Sequence, residues 1–152
     1  MPDVLTEITE IVTGLAMLGI DSVDAALLAR PNALKNVTAE HWDRLDDARA
    51  AGLHGVAFDA AWENGRLFLE SDDGLRGRLP AVVEWKGPHQ PPGFDLIPAD
   101  LRIDHVYLVS CKYQSKILSN SSPSNLFERR HGQWLMVHHH ASPIFRATQD
   151  ES

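Results

Sequence analysis

The chain has 152 residues, 43% hydrophobic and 23% charged, the balance of a soluble single domain with enough apolar mass to fill a core. Its 14 Lys and Arg against 21 Asp and Glu leave a formal charge of -7, which excludes polybasic nucleic-acid binding by wholesale phosphate neutralisation but leaves room for a locally basic groove. One cysteine, Cys111, excludes a disulfide framework and a cysteine-rich zinc module, and fits a reducing cytoplasm.

Val4, Leu5, Ile8, Ile11, Val12, Leu15 and Leu18 recur at helical spacing, so an amphipathic helix is predicted over 4–18, ending at Gly19. Thr9, Glu10, Thr13, Gly14 and Gly19 break this apolar stretch, and Asp3 and Glu7 stand where a secretory signal carries Lys or Arg. Neither a membrane span nor a signal peptide is predicted. Asp21-Ser22 caps a second helix through Leu28, stopped by Arg30-Pro31-Asn32. Thr38 starts a third over 40–51, ended by Gly52, with His41 where a capping box carries Glu or Gln. A fourth spans 56–70, weakened by Asn64-Gly65.

Ser71-Asp72-Asp73-Gly74 then signals a turn. A short apolar strand is predicted over 79–85, a Pro/Gly loop over 87–93, and a long strand over 101–113. On that strand Ile103, His105, Tyr107, Val109 and Cys111 share one face; Asp104, Val106, Leu108, Ser110 and Lys112 share the other. A loop at 119–124 leads into a short helix through Arg130, capped by Ser124 or Asn125. From His131 onward the composition is His-rich, with a final strand around 134–137 as one reading.

The sharpest chemical signal is Glu84-Trp85-Lys86. Two residues apart on a strand, the acid and the lysine face the same way, about 7 Å between their alpha carbons. Such a pair suits a metal-dependent phosphodiesterase: Glu84 as a hard oxygen ligand, Lys86 to orient water or neutralise developing charge. Asp104 and Lys112 on one straight strand would lie about 26 Å apart and could not share an ion. An antiparallel hairpin over 87–102 would instead bring Glu84, Lys86 and Asp104 together at its loop end, with Asp100 able to join. Lys112, Lys116, Arg129 and Arg130 form a basic cluster that could follow a phosphate backbone. Adjacent histidines in an extended chain point to opposite faces, which argues against zinc at His138-His139-His140. Cys111 reads as a small buried hydrophobe, and Trp62, Trp85 and Tyr107 as core.

These motifs resemble the PD-(D/E)xK nuclease superfamily, which includes restriction endonucleases and Holliday-junction resolvases. The resemblance covers residues 56–113. In that family a Glu-bearing helix precedes a short mixed sheet, one strand supplies an Asp, and the next supplies an acid-x-Lys pair that binds magnesium. It implies Glu63 as the helical glutamate, Glu84-Trp85-Lys86 as the acid-x-Lys element, and Asp72 or Asp73 as the upstream acid. A rival alignment takes Pro98-Ala99-Asp100 as the Pro-Asp element and Ser110-Cys111-Lys112 as the acid-x-Lys element, departing from the pattern at Ala99 and at Ser110. Pairing Asp104 with Glu84-Trp85-Lys86 would reverse the family's order.

The combined expectation is an α+β fold, with a helical N-terminal half packed on a small mixed or antiparallel sheet, restriction-endonuclease-like by resemblance. One domain covers 1–130 (helical over 1–55, nuclease-like over 56–130), followed by the His-rich tail 131–152. The expected function is Mg2+- or Mn2+-dependent cleavage of DNA in the cytoplasm, or an inactive relative of such an enzyme. Catalysis falls to Glu84, Lys86, Asp104 and Lys112, and metal binding to Glu84, Asp104 and Asp100. The alternative is a non-catalytic interaction module with an acidic helical surface, acting through a protein partner or as a homo-oligomer.

Overall fold

The apolar spacing at the start of the chain folds as read, with one irregularity. In the computed structural model, helix α1 covers 4–16. It is α-helical over Val4–Glu7 and Thr13–Ala16, with a π-helical turn at Ile8–Val12 between them. Thr9 Oγ1 donates to the Leu5 carbonyl at 2.9 Å, and Thr13 Oγ1 donates to the Thr9 carbonyl at 2.7 Å. Such back-bonding competes with the backbone ladder at the place where the helix widens. Ile8, Ile11, Val12 and Leu15 are completely buried. Residues 4–88 and 99–111 are described in full; for 126–130 and 133–137 the backbone alone is described.

Helix α2 (Val23–Ala29) is capped by Ser22, whose Oγ accepts from the Ala25 N–H at 3.1 Å, and ends at Arg30 in the left-handed region. Helix α3 (Ala39–Ala50) carries the full capping box at Thr38. His41 takes the place of the usual Glu, its Nδ1 accepting from the Thr38 N–H at 3.1 Å. Helix α4 (Gly55–Glu70) runs unbroken through Asn64-Gly65. The weak point expected there is a packing device: a Cβ on Gly65 would collide with the Thr13 carbonyl oxygen and with Ala16 Cβ. Only glycine lets α4 cross α1 this closely.

Among the described residues six strands form one mixed sheet in chain order: β1 (Leu34–Lys35), β2 (Val83–Trp85), β3 (Leu101–Ile103), β4 (Tyr107–Ser110), β5 (Leu126–Arg130) and β6 (Gln133–Val137). The pairs β1–β2 and β4–β5 are parallel; β2–β3, β3–β4 and β5–β6 are antiparallel. Helix α1 lies across β1 to β3, since a Cβ on Gly14 would touch Val83, Leu34 and Leu101. Helix α4 reaches β4 on the same face, where Phe68 meets Tyr107 edge-on at 6.1 Å between ring centroids. The fold is therefore α+β, with the core between these helices and the row Val83, Trp85, Leu101, Ile103 and Val109.

Three expected elements differ. The long strand over 101–113 is a hairpin: Ile103 pairs with Tyr107 around a turn in which Asp104 and His105 have φ of 54° and 62°. Two consecutive left-handed residues, closed by the Val106 N–H on the Ile103 carbonyl at 3.0 Å, make a type I′ turn, whose twist suits a hairpin. Because Ile103 and Tyr107 are partners, the predicted division into two faces survives the reversal. The strand over 79–85 shortens to Val83–Trp85, because Asp104 Oδ1 accepts from the Ala81 and Val82 N–H groups at 2.8 and 3.0 Å where a ladder would otherwise run. The helix expected to end at Arg130 is strand β5. Beyond it, β6 brings part of the predicted tail into the sheet.

Candidate active site

The parallel strands β2 and β4 end on one side of the sheet, and β3, running the other way, starts there. Asp100 immediately precedes β3. Its N–H donates to the Val109 carbonyl at 3.0 Å, its carbonyl accepts from the Lys86 N–H at 2.9 Å, and its Oδ2 accepts from the Cys111 N–H at 2.7 Å. Asp100 therefore grips β4 on both sides of Ser110 and fixes its carboxylate beside the residue that precedes Lys112. Lys112 itself lies outside the described residues.

Ser110 is 1% exposed, and its Oγ has no hydrogen-bond partner among the described residues. Cys111 is buried and forms no disulfide, as its place on the core face predicts. Trp85, at the end of β2, is fully buried. It is held by Asn36 Nδ2 on its carbonyl at 3.0 Å, by the edge of the His41 ring at 4.7 Å, and by its own N–H on Glu10 Oε1 at 2.9 Å. Glu10 is a carboxylate that motif reading missed. Its one signal was an acidic residue inside an otherwise apolar helical run.

Asp104 does not join this place. Its N–H donates to the Val82 carbonyl at 2.9 Å, which puts it at the opposite end of the hairpin. The antiparallel pairing of β2 with β3 was foreseen, but because β3 begins at Leu101 its loop end gathers Lys86 and Asp100. Asp104 sits four residues along, about 13 Å away on an extended strand.

Glu84 is occupied. It stands opposite Arg102 in register, and the guanidinium binds both carboxylate oxygens, Nε to Oε1 at 2.7 Å and Nη2 to Oε2 at 3.1 Å. His105 Nδ1 lies 3.3 Å from Oε1. The Arg102 hydrogen bonds hold the Glu84 carboxyl below its usual range against the opposing effect of burial, and Glu84 in turn raises Arg102. To bind a metal, Glu84 would first have to release a bidentate partner with which it is mostly buried (15% and 18% exposed).

The remaining candidates are placed as follows. Glu63 is exposed on α4, away from the face that packs on α1. Asp72 and Asp73 are exposed in the turn after α4, where the Ser71 Oγ accepts from the Asp73 N–H at 3.1 Å. Arg129 and Arg130 close β5 beyond its last pair with β4, Ser110 with Glu128, so their backbone lies at the same sheet end as Asp100. Lys116, His131 and the run at 138–140 lie outside the described residues. Part of the acidic helical surface is paired: Arg30 binds Asp43 and Asp46 at 3.0 and 2.7 Å, and Arg49 binds Asp24 at 2.9 Å.

Among the described residues no group of three or more His, Cys, Asp or Glu gathers as a metal cluster, and no helix is long and apolar enough to cross a membrane. No protein-family model, curated protein or solved structure matches the chain.

Proposed function

We propose that the protein is a Mg2+- or Mn2+-dependent nuclease acting on DNA, built on a restriction-endonuclease-like sheet, with its site at Asp100 and Ser110-Cys111-Lys112 and not at Glu84-Trp85-Lys86. One observation carries this reading: the 2.7 Å bond from the Cys111 N–H to Asp100 Oδ2, which ties the start of one strand to the end of the next. The resemblance calls for that relation, an Asp on one strand and an acid-x-Lys element on its neighbour. Two further features support it. A Glu-bearing helix, α1 with Glu10, lies over the sheet and bonds the end of β2, and the sheet is mixed.

The donor chemistry fits a hard cation at this sheet end, because Asp100 offers carboxylate oxygen and no sulfur or imidazole ligand is called for. A bound Mg2+ or Mn2+ would supply Lewis-acid polarisation of the scissile phosphate. The protein's share is positional. Asp100 is held by the backbone N–H of Cys111, which fixes the direction of its carboxylate. Lys112 brings a positive charge to the phosphate, and Arg129 and Arg130, with Lys116, supply local attraction that the net charge of -7 does not.

The test is cleavage of supercoiled plasmid and of linear and branched DNA with Mg2+ or Mn2+. Asp100→Asn and Lys112→Ala should abolish metal-dependent cutting while Glu84→Gln and Lys86→Ala retain it, all four folded by circular dichroism. Cutting lost in Glu84→Gln or Lys86→Ala but kept in Asp100→Asn would return the site to β2. A wild type that cuts nothing would reject the nuclease.

A further inference from the structure

The start of helix α3 is held by an imidazole. In the usual capping box the third helical residue is Glu or Gln, and a Gln oxygen accepts from the N-cap N–H whatever the pH. Here the acceptor is Nδ1 of His41, 3.1 Å from the Thr38 nitrogen. The Thr38 hydroxyl stands 2.8 Å from the same Nδ1 and accepts from the His41 N–H at 3.3 Å. Nδ1 accepts from the Thr38 N–H only while it carries no proton, so the neutral ring has its hydrogen on Nε2.

The ring is 5% exposed, and it meets Trp85 of β2 edge-on at 4.7 Å between centroids. On the α1 side Nε2 lies 4.0 Å from Glu7 Oε2, and the Glu7 carboxylate is already matched by two bonds from Arg44. Glu10, further along α1, takes the Trp85 indole N–H. Lys86 follows Trp85 in the chain, and Glu40, beside His41 on α3, is exposed. A second proton on the ring therefore has two unfavourable effects. It adds a charge to an enclosed place where Glu7 and Arg44 already cancel. It also lands on Nδ1, which turns the acceptor of the cap into a donor aimed at the Thr38 N–H.

We infer that His41 is a proton-operated latch on helix α3: neutral, it closes the first turn; protonated, it opens it. That turn anchors more than the helix start. Asn36, two residues before the cap, donates to the Trp85 carbonyl at 3.0 Å, and Arg44, three residues beyond His41, neutralises Glu7. Opening the cap loosens the seat of Trp85 and the pair at Glu7 together. The direction with pH follows. The unfolded chain takes up the proton at the ordinary histidine value, about 6.5, while the enclosed ring resists it. Stability from the cap is complete above that pH and is lost as pH falls below it. The latch does not depend on the nuclease reading.

The test compares the full-length wild type with His41→Gln, which keeps a capping acceptor and takes up no proton. The other histidines and the carboxylates are common to both proteins, so their titrations cancel. In urea denaturation, the folding equilibrium constant of the wild type relative to His41→Gln should be level above roughly pH 7 and fall by up to about tenfold between roughly pH 6.5 and 5.5. A ratio that stays level or rises on acidification would overturn the latch, a rise meaning that Glu7 welcomes the imidazolium. Nitrogen chemical shifts of His41 in the wild type give a reading that needs no variant. They should show Nδ1 without a proton above roughly pH 7, and the Thr38 amide resonance should move with the same midpoint as the ring. A proton on Nδ1 in that range, or a Thr38 amide indifferent to the ring, overturns it equally.

Discussion

The indole N–H of Trp85 donates to Oε1 of Glu10 at 2.9 Å, joining the end of β2 to a helix 75 positions earlier in the chain. The bond is charge-assisted and part-buried, and a lost partner for the enclosed indole N–H is costly. Trp85→Phe keeps an aromatic ring and deletes the donor, and is expected to lower stability by about 1–3 kcal/mol in urea denaturation. Trp85→Ala also opens a cavity and should cost about 3–5 kcal/mol. A Phe variant as stable as the wild type would show that the bond contributes nothing.

Glu7 is a charge inside the protein, its side chain 1% exposed. Arg44 neutralises it through two bonds of 3.0 and 2.8 Å, and His41 Nε2 stands 4.0 Å away. Removing one member strands the other: Arg44→Ala should destabilise by about 3–5 kcal/mol at neutral pH. The double variant Glu7→Leu with Arg44→Met removes both charges and should recover most of that loss. A thermal-denaturation cycle over the four proteins measures it, and a double variant as unstable as the single one would contradict the pairing.

In an exposed helix, Gly→Ala gains up to about 1 kcal/mol. At Gly65 the sign should reverse, because the new methyl would meet the Thr13 carbonyl and Ala16. Overpacking of a rigid contact costs about 1–3 kcal/mol, and neither neighbour can swing aside. Gly65→Ala should therefore have a lower denaturation midpoint than the wild type. An increase would mean that α1 and α4 cross less tightly than described.

The Glu84–Arg102 pair sets a pH dependence whose direction is fixed. Glu84 has a carboxyl held below its usual range by Arg102, so its folded value lies under its unfolded one, about 4.3. Its contribution is complete above the unfolded value and is lost as pH falls through the folded one. The stability gap between wild type and Glu84→Gln, about 1–2 kcal/mol at pH 7, should stay constant down to roughly pH 5 and shrink below it. A gap that widens on acidification would contradict the pairing.

Arg129 and Arg130 end the strand beside the proposed site. If they meet phosphates, Arg129→Ala and Arg130→Ala should each weaken binding to a non-cleavable duplex and lower the slope of log affinity against log salt by about 1. Fluorescence anisotropy at several salt concentrations checks this. Weaker binding with an unchanged slope would point to a structural role.

The helices were legible because their signals are local. The 3.6-residue spacing of Ile8, Ile11, Val12 and Leu15, and the oxygens of Ser22 and Thr38 beside free N–H groups, act within one or two turns of chain. The hairpin was harder to see. Asp104-His105 closes a type I′ turn without the glycine that usually marks one, and alternation alone reads the same through Ile103 and Tyr107 whether the strand continues or reverses. That single reversal moved Asp104 away from the proposed site and set Asp100 against Cys111.

What the sequence determined by itself was the composition of the core, the helical half, the two neighbouring motifs that carry carboxylate and lysine, and the antiparallel pairing of β2 with β3 as one open arrangement. Tertiary structure decided which carboxylates meet. Register set Glu84 opposite Arg102 and so occupied the better-looking motif. It also brought the Asp100 carboxylate to the Cys111 N–H. The physical reason is range: backbone preference and capping act over a few residues, whereas strand register depends on burying one face against α1 and α4, a condition the whole chain satisfies at once.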